Sequence, residues 1–180
     1  MAWTAPATWV ASADVTAAQF NEQIRDNFNE TAPGVASAAG RLIVTDALNS
    51  IAERVPGQDF ETASESTAST TYTDLATVGP SVSVATGTEA LVIISAVLWN
   101  ATAGSRAITA YAVSGVTTDA ANDTRALMNN CGDGSNDLGR FSVVNLHTGL
   151  TAGTNVFTMK YRASANTASF DNRTITVIPF

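Results

Sequence analysis

The residues best suited to covalent chemistry in this sequence are its single histidine, His147, and its single cysteine, Cys131. A Cys–His or Ser–His–Asp nucleophile system would have to use that histidine. Neither residue lies in a catalytic motif, and the sequence contains no nucleophile-elbow, P-loop or dinucleotide-binding pattern. We therefore expect His147 to be an ordinary strand or loop residue, Cys131 to be a small buried side chain, and the protein not to be an enzyme.

Oxygen-bearing side chains cluster in a glycine-rich segment with the sequence Cys-Gly-Asp-Gly-Ser-Asn-Asp-Leu-Gly. Asp133, Ser135 and Asp137 have the spacing of the first ligands in a calcium loop. The distal glutamate of such a loop is missing, and the glycines suit an ordinary turn equally well. A turn is the favoured interpretation, a calcium site is the alternative, and no cofactor is expected.

The composition limits the classes of partner. The 180 residues carry a net charge of −7, and 45% of them are hydrophobic while only 14% are charged. An acidic chain without a basic patch is not expected to bind nucleic acid or an anionic membrane surface. The longest apolar run, 90–99, is too short to span a bilayer. A single cysteine excludes an intrachain disulfide, so we expect synthesis in a cytoplasm.

An apolar stripe near the amino end is the clearest sign of a binding function. Thr16 and Gln19 form a capping box, which predicts the start of a helix. Phe20, Ile24 and Phe28 then follow four residues apart, on one face of that helix. So short a helix cannot bury this stripe against itself, and we expect another chain to cover it.

Two tryptophans, Trp3 and Trp9, lie in the extended arm before the predicted helix. They could cover the β-domain of their own chain or insert into a pocket of a partner. Tryptophan is strongly enriched at binding hot spots, and the arm has little else to fix it in place. Anchoring to a partner is therefore favoured, and the predicted oligomerisation and anchoring site comprises both tryptophans and the helix stripe.

The rest of the sequence predicts mainly β-structure. Residues 41–55 alternate as a β-hairpin does, with a helix over 46–54 as the alternative. Short strand-like runs separated by glycine- and proline-containing turns then predict an antiparallel β-sandwich or jelly roll. We expect an N-terminal anchor of arm, helix and hairpin over 1–57 and the sandwich over 58–180. The predicted sandwich strands are 71–78, 81–85, 90–99, 107–113, 124–128, 141–146, 155–162 and 173–178.

One of these predicted strands lacks the alternation of a half-exposed strand. Its residues Leu91-Val92-Ile93-Ile94 are all apolar. A strand of this kind is normally covered on both of its faces. An outer face that is apolar although a monomer would expose it is a second indication of an oligomer.

Three stretches resemble structural proteins in the virions of tailed bacteriophages, especially those of actinobacterial hosts. The N-terminal signature of many phage tail and fibre-like proteins is similar to Trp9-Val10 followed by Val15-Thr16-Ala17-Ala18-Gln19-Phe20-Asn21 and Ile24-Arg25-Asp26-Asn27. Their small hairpin unit between anchor and tip is similar to residues 40–57. The end of their trimeric jelly-roll head domains is similar to residues 149–179.

This resemblance implies a homotrimer that is attached to the particle by its N-terminal segments, with the jelly rolls facing outward. The chain has at most one hairpin unit and no long shaft, which favours a capsid decoration or short head fibre. The predicted function is thus a non-enzymatic virion protein, made in the bacterial cytoplasm, whose partners are itself and capsid or tail proteins. The alternatives are a minor tail protein that binds host glycans and a glycan hydrolase.

Overall fold

The computed structural model of the protein describes residues 7–12, 14–29, 35–48, 50–132 and 137–180. The chain divides into two compact units. The first consists of the residues up to Val55 together with Phe180, and the second of Pro56–Pro179. The first unit contains the helical residues and a two-stranded sheet, whereas the second contains two larger sheets.

The helix of the first unit begins at the predicted capping box. Thr16 Oγ1 accepts a hydrogen bond from the Gln19 N–H at 3.2 Å, and Gln19 Oε1 accepts one from the Thr16 N–H at 3.0 Å. From there α1 (Ala17–Phe20) passes into a π-helical segment (Asn21–Asp26) and then into α2 (Asn27–Asn29). We call these three pieces the N-terminal helix. Within the described residues, no helix has the length and apolar character needed to cross a bilayer.

The predicted hairpin of the first unit is confirmed. Strand β1 (Leu42–Ala47) pairs with the antiparallel strand β2 (Ser50–Arg54), and the alternative of a helix over 46–54 is wrong. The N–H and hydroxyl of Ser37 donate to the Glu53 carboxylate at 2.6 and 2.8 Å. These hydrogen bonds lower the pKa of Glu53, so its charged form holds the chain before β1 against β2.

The described part of the second unit has nine strands in two antiparallel sheets. One sheet has the order β5–β10–β7–β8, and the other has the order β3–β11–β6–β9, with β4 also pairing with β11. The strands are β3 (Gly57–Glu61), β4 (Glu65–Thr67), β5 (Ser81–Thr86), β6 (Glu89–Asn100), β7 (Arg106–Gly115), β8 (Leu127–Asn130), β9 (Gly139–Thr148), β10 (Gly153–Ala163) and β11 (Ala168–Pro179).

The strand pairing of this unit is nested. Strand β3 pairs with β11, β5 with β10, β6 with β9, and β7 with β8. A long antiparallel hairpin that rolls up, so that β6 meets β11 and β7 meets β10, produces this order. Such nested pairing in two sheets is a jelly roll. The predicted antiparallel sandwich is therefore confirmed, in its jelly-roll form.

The core lies between the two sheets. Alternate residues of β6, β10 and β11 are buried, as expected for strands with one face on a core, whereas residues 107–111 of β7 are all buried. Tyr161 of β10 and Phe170 of β11 pack across the sandwich with ring centroids 4.9 Å apart. Each such buried side chain contributes about 1.5–3 kcal/mol to the stability of this unit.

Two of the predicted sandwich strands differ from the structure. Residues 71–78 form an irregular connection with a single bridge, from Thr73 to Tyr161, and the side chain of Leu75 is buried. Residues Asp123–Arg125 form a 3₁₀-helix, and β8 begins only after it. The other six predicted strands are confirmed, and each is longer than predicted. Strands β3 and β4 were not predicted, because their polar sequences carry almost no apolar alternation.

Candidate functional site

Three of the predicted anchoring residues, Trp9, Phe20 and Ile24, line one apolar hollow in the first unit, whereas Phe28 is not part of its lining. Trp9, Val15, Phe20 and Ile24 line this hollow, whose volume is about 350 Å³. The N–H of Ala7 donates to Gln23 Oε1 at 2.7 Å, which ties the arm to the helix. Trp9 thus lies beside its own helix, a placement that neither sequence interpretation included. Trp3 lies outside the described residues.

These apolar side chains are all substantially open to solvent. The exposed fraction is 47% for Trp9, 48% for Val15, 56% for Phe20 and 40% for Ile24, and it is 68% for Phe28. Removing apolar surface from water is favourable at about 25 cal/mol per Å². A chain that covered the hollow and the helix stripe would therefore gain binding free energy at this surface.

A second apolar surface lies on the outer face of the sheet that contains β6. Leu91 stands opposite Leu146 of β9 and Ile178 of β11, and Ile93 stands opposite Val144. Residues directly opposite each other share a face, and the intervening residues of β6 are fully buried in the core. We call these five residues the aliphatic patch. Its members Val144 and Leu146 are 57% and 55% exposed.

The outer face of the other sheet carries polar side chains, and two of its cations, Lys160 and Arg162, are paired within the chain. Lys160 Nζ lies 2.6 Å from Asp74 Oδ1, and Arg162 Nη2 lies 2.6 Å from Asp123 Oδ2. Tyr72 Oη also donates to Asp123 Oδ1 at 2.8 Å. The hydrogen bonds from Arg162 and Tyr72 lower the pKa of Asp123, which is therefore charged at neutral pH. The two outer faces of the jelly roll thus differ in chemistry among the described residues.

The single histidine belongs to a cluster of polar side chains next to the core. His147 Nδ1 lies 3.2 Å from Tyr111 Oη and 3.3 Å from Arg125 Nη1, and its Nε2 lies 3.6 Å from Asp119 Oδ2. Arg125 Nη1 also binds Asp119 Oδ2 directly. Because a guanidinium has only donors, His147 Nδ1 accepts, and the neutral ring carries its proton on Nε2, toward Asp119.

The electrostatics of this cluster suit a structural role. Burial and the nearby Arg125 lower the pKa of His147, although Asp119 opposes them. The hydrogen bond from Arg125 lowers the pKa of Asp119, and burial raises the pKa of Tyr111 to about 12. Tyr111 is fully buried and His147 is only 5% exposed, so a substrate cannot reach either. The cluster fastens the connection between β7 and β8 to the sheet.

Cys131 is buried, as expected, and its sulfur contacts two backbone groups. Its Sγ accepts the N–H of Asn100 at 2.9 Å and lies 3.6 Å from the carbonyl oxygen of Asp137. Asp133 and Ser135 lie outside the described residues. Within the described part of the chain, no group of three or more His, Cys, Asp or Glu side chains is placed to hold a metal ion. The calcium site at Asp133, Ser135 and Asp137 stays an untested alternative.

No protein-family model matches the sequence, and no curated protein is significantly similar to it. The resemblance to bacteriophage virion proteins therefore stays a prediction from the motifs. The jelly roll, the open apolar hollow and the aliphatic patch are the structural observations from which a function can be argued.

Proposed function

We propose that this protein is a non-enzymatic structural component of a bacteriophage particle. It forms a homotrimeric capsid decoration or short head fibre that attaches through its N-terminal segment. The observation that carries the proposal is the open apolar surface formed by Trp9, Phe20 and Ile24. The same segment contains the sequence signature that resembles phage virion proteins, and a jelly roll is the head domain that this resemblance implies.

A second copy of the chain is the best occupant for the helix stripe. A stripe with a spacing of four residues packs well against an identical stripe in a bundle of helices. In a closed ring of three, each stripe meets two others and none is left at an open end. The pair Arg25–Asp26, joined at 2.8 Å, lies on the same helix and stays beside the stripe as a polar border.

The size of the apolar hollow indicates that it does not hold a trimer together by itself. Roughly half of each lining side chain is already covered, so each contributes about 1 kcal/mol on full burial. Four such side chains in three copies contribute about 12 kcal/mol. Each of the two association steps costs about 4–15 kcal/mol in lost freedom of motion. A second contact between the chains is therefore needed for a stable trimer.

The aliphatic patch supplies a surface of the right kind for that second contact. Its five residues carry no charge, so two copies of an acidic chain can meet there without bringing like charges together. Its members lie on three neighbouring strands of a rigid sheet, which keeps the surface in place before association. Little conformational entropy is then lost when a partner covers the patch.

Sedimentation equilibrium of the purified full chain over a wide concentration range tests the assembly. A mass of three chains that persists on dilution supports the proposal. A compact monomer at every concentration refutes it. Electron microscopy of phage particles that lack this protein tests the location, because a decoration or short fibre leaves a regular feature missing from the capsid. Particles that keep every feature would refute the virion role.

A further inference from the structure

A small polar pocket opens on the outer face of the β3–β11–β6–β9 sheet, beside a bulge in β11. The register of β11 shifts between Asp171 and Thr174, and Asn172 adopts a left-handed backbone with φ of 47°. Bulges re-aim side chains and often occur next to functional sites. The pocket has a volume of about 160 Å³ and is lined by Phe60, Glu61, Thr62, Arg140, Asn172, Arg173 and Thr174. Of these, Arg173 is fully buried, and its Nη2 is paired with Glu65 Oε2 at 3.1 Å. We call it the bulge pocket.

Two charged side chains of the bulge pocket, Arg140 and Glu61, keep most of their hydrogen-bonding capacity. Among the described residues, the Arg140 guanidinium makes one long hydrogen bond, from Nε to Ser95 Oγ at 3.4 Å, and no ion pair. Glu61 uses only Oε1, which accepts the Ala63 N–H at 2.9 Å. This differs from the opposite outer face, where Lys160 and Arg162 are each paired with a carboxylate. Donor atoms of Arg140 and an acceptor atom of Glu61 are therefore available to a ligand.

An exposed aromatic ring completes the bulge pocket. Phe60 lies on edge strand β3, opposite Thr174, and its side chain is 67% exposed. A flat apolar ring next to mixed donors and acceptors is complementary to a compound with hydroxyl groups on its rim and C–H groups on its face. The carboxylate of Glu61 can accept hydrogen bonds from hydroxyl groups, whereas its negative charge disfavours a phosphate or sulfate ion.

We propose that the bulge pocket binds one pyranose unit of a glycan. The C–H face of the sugar packs on Phe60, its hydroxyls donate to Glu61 and Asn172, and an oxygen of the sugar accepts from Arg140. Drug-sized ligands need at least about 300 Å³, so the pocket holds a single sugar ring and the rest of the glycan lies on the surface. One ring makes few contacts, so several copies of the pocket on one particle would raise the overall affinity by avidity.

Binding of the full-length chain to an array of immobilised oligosaccharides, with neutral, amino and carboxylated pyranoses, tests this proposal. Isothermal titration with the tightest-binding oligosaccharide then compares variants. Phe60→Ala and Arg140→Gln are each expected to weaken binding at least tenfold. Arg106→Gln is the matched control, because Arg106 is an exposed arginine on β7 that does not line the pocket. It is expected to leave the affinity unchanged.

The pocket is complete within one chain, so its test is separate from the test of assembly. Failure of every sugar on the array to bind overturns the proposal. So does binding that both pocket variants retain, or that Arg106→Gln weakens equally. Sedimentation of the same samples distinguishes the two ideas: a trimer that binds no sugar overturns the pocket alone, and a monomer that binds sugar overturns the assembly alone.

Discussion

Arg125 Nη1 lies 3.3 Å from His147 Nδ1, so the guanidinium donates to a ring nitrogen that must stay unprotonated. Protonation of His147 would place two donors against each other and add a second positive charge next to the first. Tyr111 packs on both groups, with the Arg125 guanidinium 5.1 Å from its ring centre. The stability of the jelly roll is therefore coupled to the charge of one histidine.

We predict that acid destabilises the protein through His147 before its carboxylates titrate. The pKa of His147 is lowered from 6.5 in the folded state, so the unfolded chain binds more protons below about pH 6.5. The contribution of neutral His147 to the free energy of unfolding is therefore fully present above that pH, and it is lost as the pH drops toward the pKa of the folded state. Urea unfolding between pH 7.5 and 5 measures this slope. His147→Gln is expected to flatten it, and an equal slope in this variant would contradict the coupling.

Phe20→Asp is expected to convert the proposed trimer into monomers, because it places a charge in the helix stripe. Phe20 is 56% exposed, so the substitution removes little packing within the chain. Light scattering measures the mass. Glu22→Gln, on the exposed part of the same helix and outside the apolar hollow, is the control and should keep the trimer. An unchanged mass for Phe20→Asp would show that the stripe is not an assembly surface.

Leu146→Glu is expected to weaken association at least tenfold, because it buries a carboxylate in the aliphatic patch when copies meet. The stability of the dilute monomer should change little, since Leu146 is 55% exposed. Ser142→Glu introduces the same charge on the same face of β9, opposite Ser95 and outside the patch. Analytical ultracentrifugation of both variants gives the association constants. Equal effects would show that charge rather than the patch controls assembly.

Gly115→Ala is expected to destabilise the jelly roll by more than about 1 kcal/mol. Gly115 has a φ of 101°, and an added Cβ would lie 2.5 Å from the carbonyl oxygen of Thr154. Gly104 also has a positive φ, of 74°, but an added Cβ there meets nothing within 4 Å. Gly104→Ala therefore measures the backbone strain alone, and thermal unfolding of both variants separates the two effects. A larger loss for Gly104→Ala would contradict the assignment.

Local signals in the sequence predicted the elements that local interactions form. The capping box at Thr16 and Gln19 marks the helix start, and the alternation of 41–55 marks the hairpin. The same approach wrongly predicted a strand over residues 71–78. An apolar residue such as Leu75 suggests a strand, although here its buried side chain holds an irregular connection against the core. It missed β3, whose only large apolar residue, Phe60, points away from the core.

The clusters of side chains could not be predicted, because strand register creates them. Tyr111 comes from β7, Asp119 from a connection and His147 from β9, and no spacing in the sequence relates them. The bulge pocket likewise joins Arg140 of β9 to Asn172 of β11 across the intervening strand β6. The lack of alternation in 91–94 did indicate an apolar outer face, since that property belongs to one strand alone.

The pairing of β3 with β11 also governs when the jelly roll can fold during synthesis. These strands are separated by on the order of a hundred residues, and contacts between distant residues form slowly. The sandwich cannot close until β11 has left the ribosome, so a nascent or truncated chain leaves strand edges unpaired and is open to chaperones and proteases. Only chains that already include β11 therefore reach the folded jelly roll.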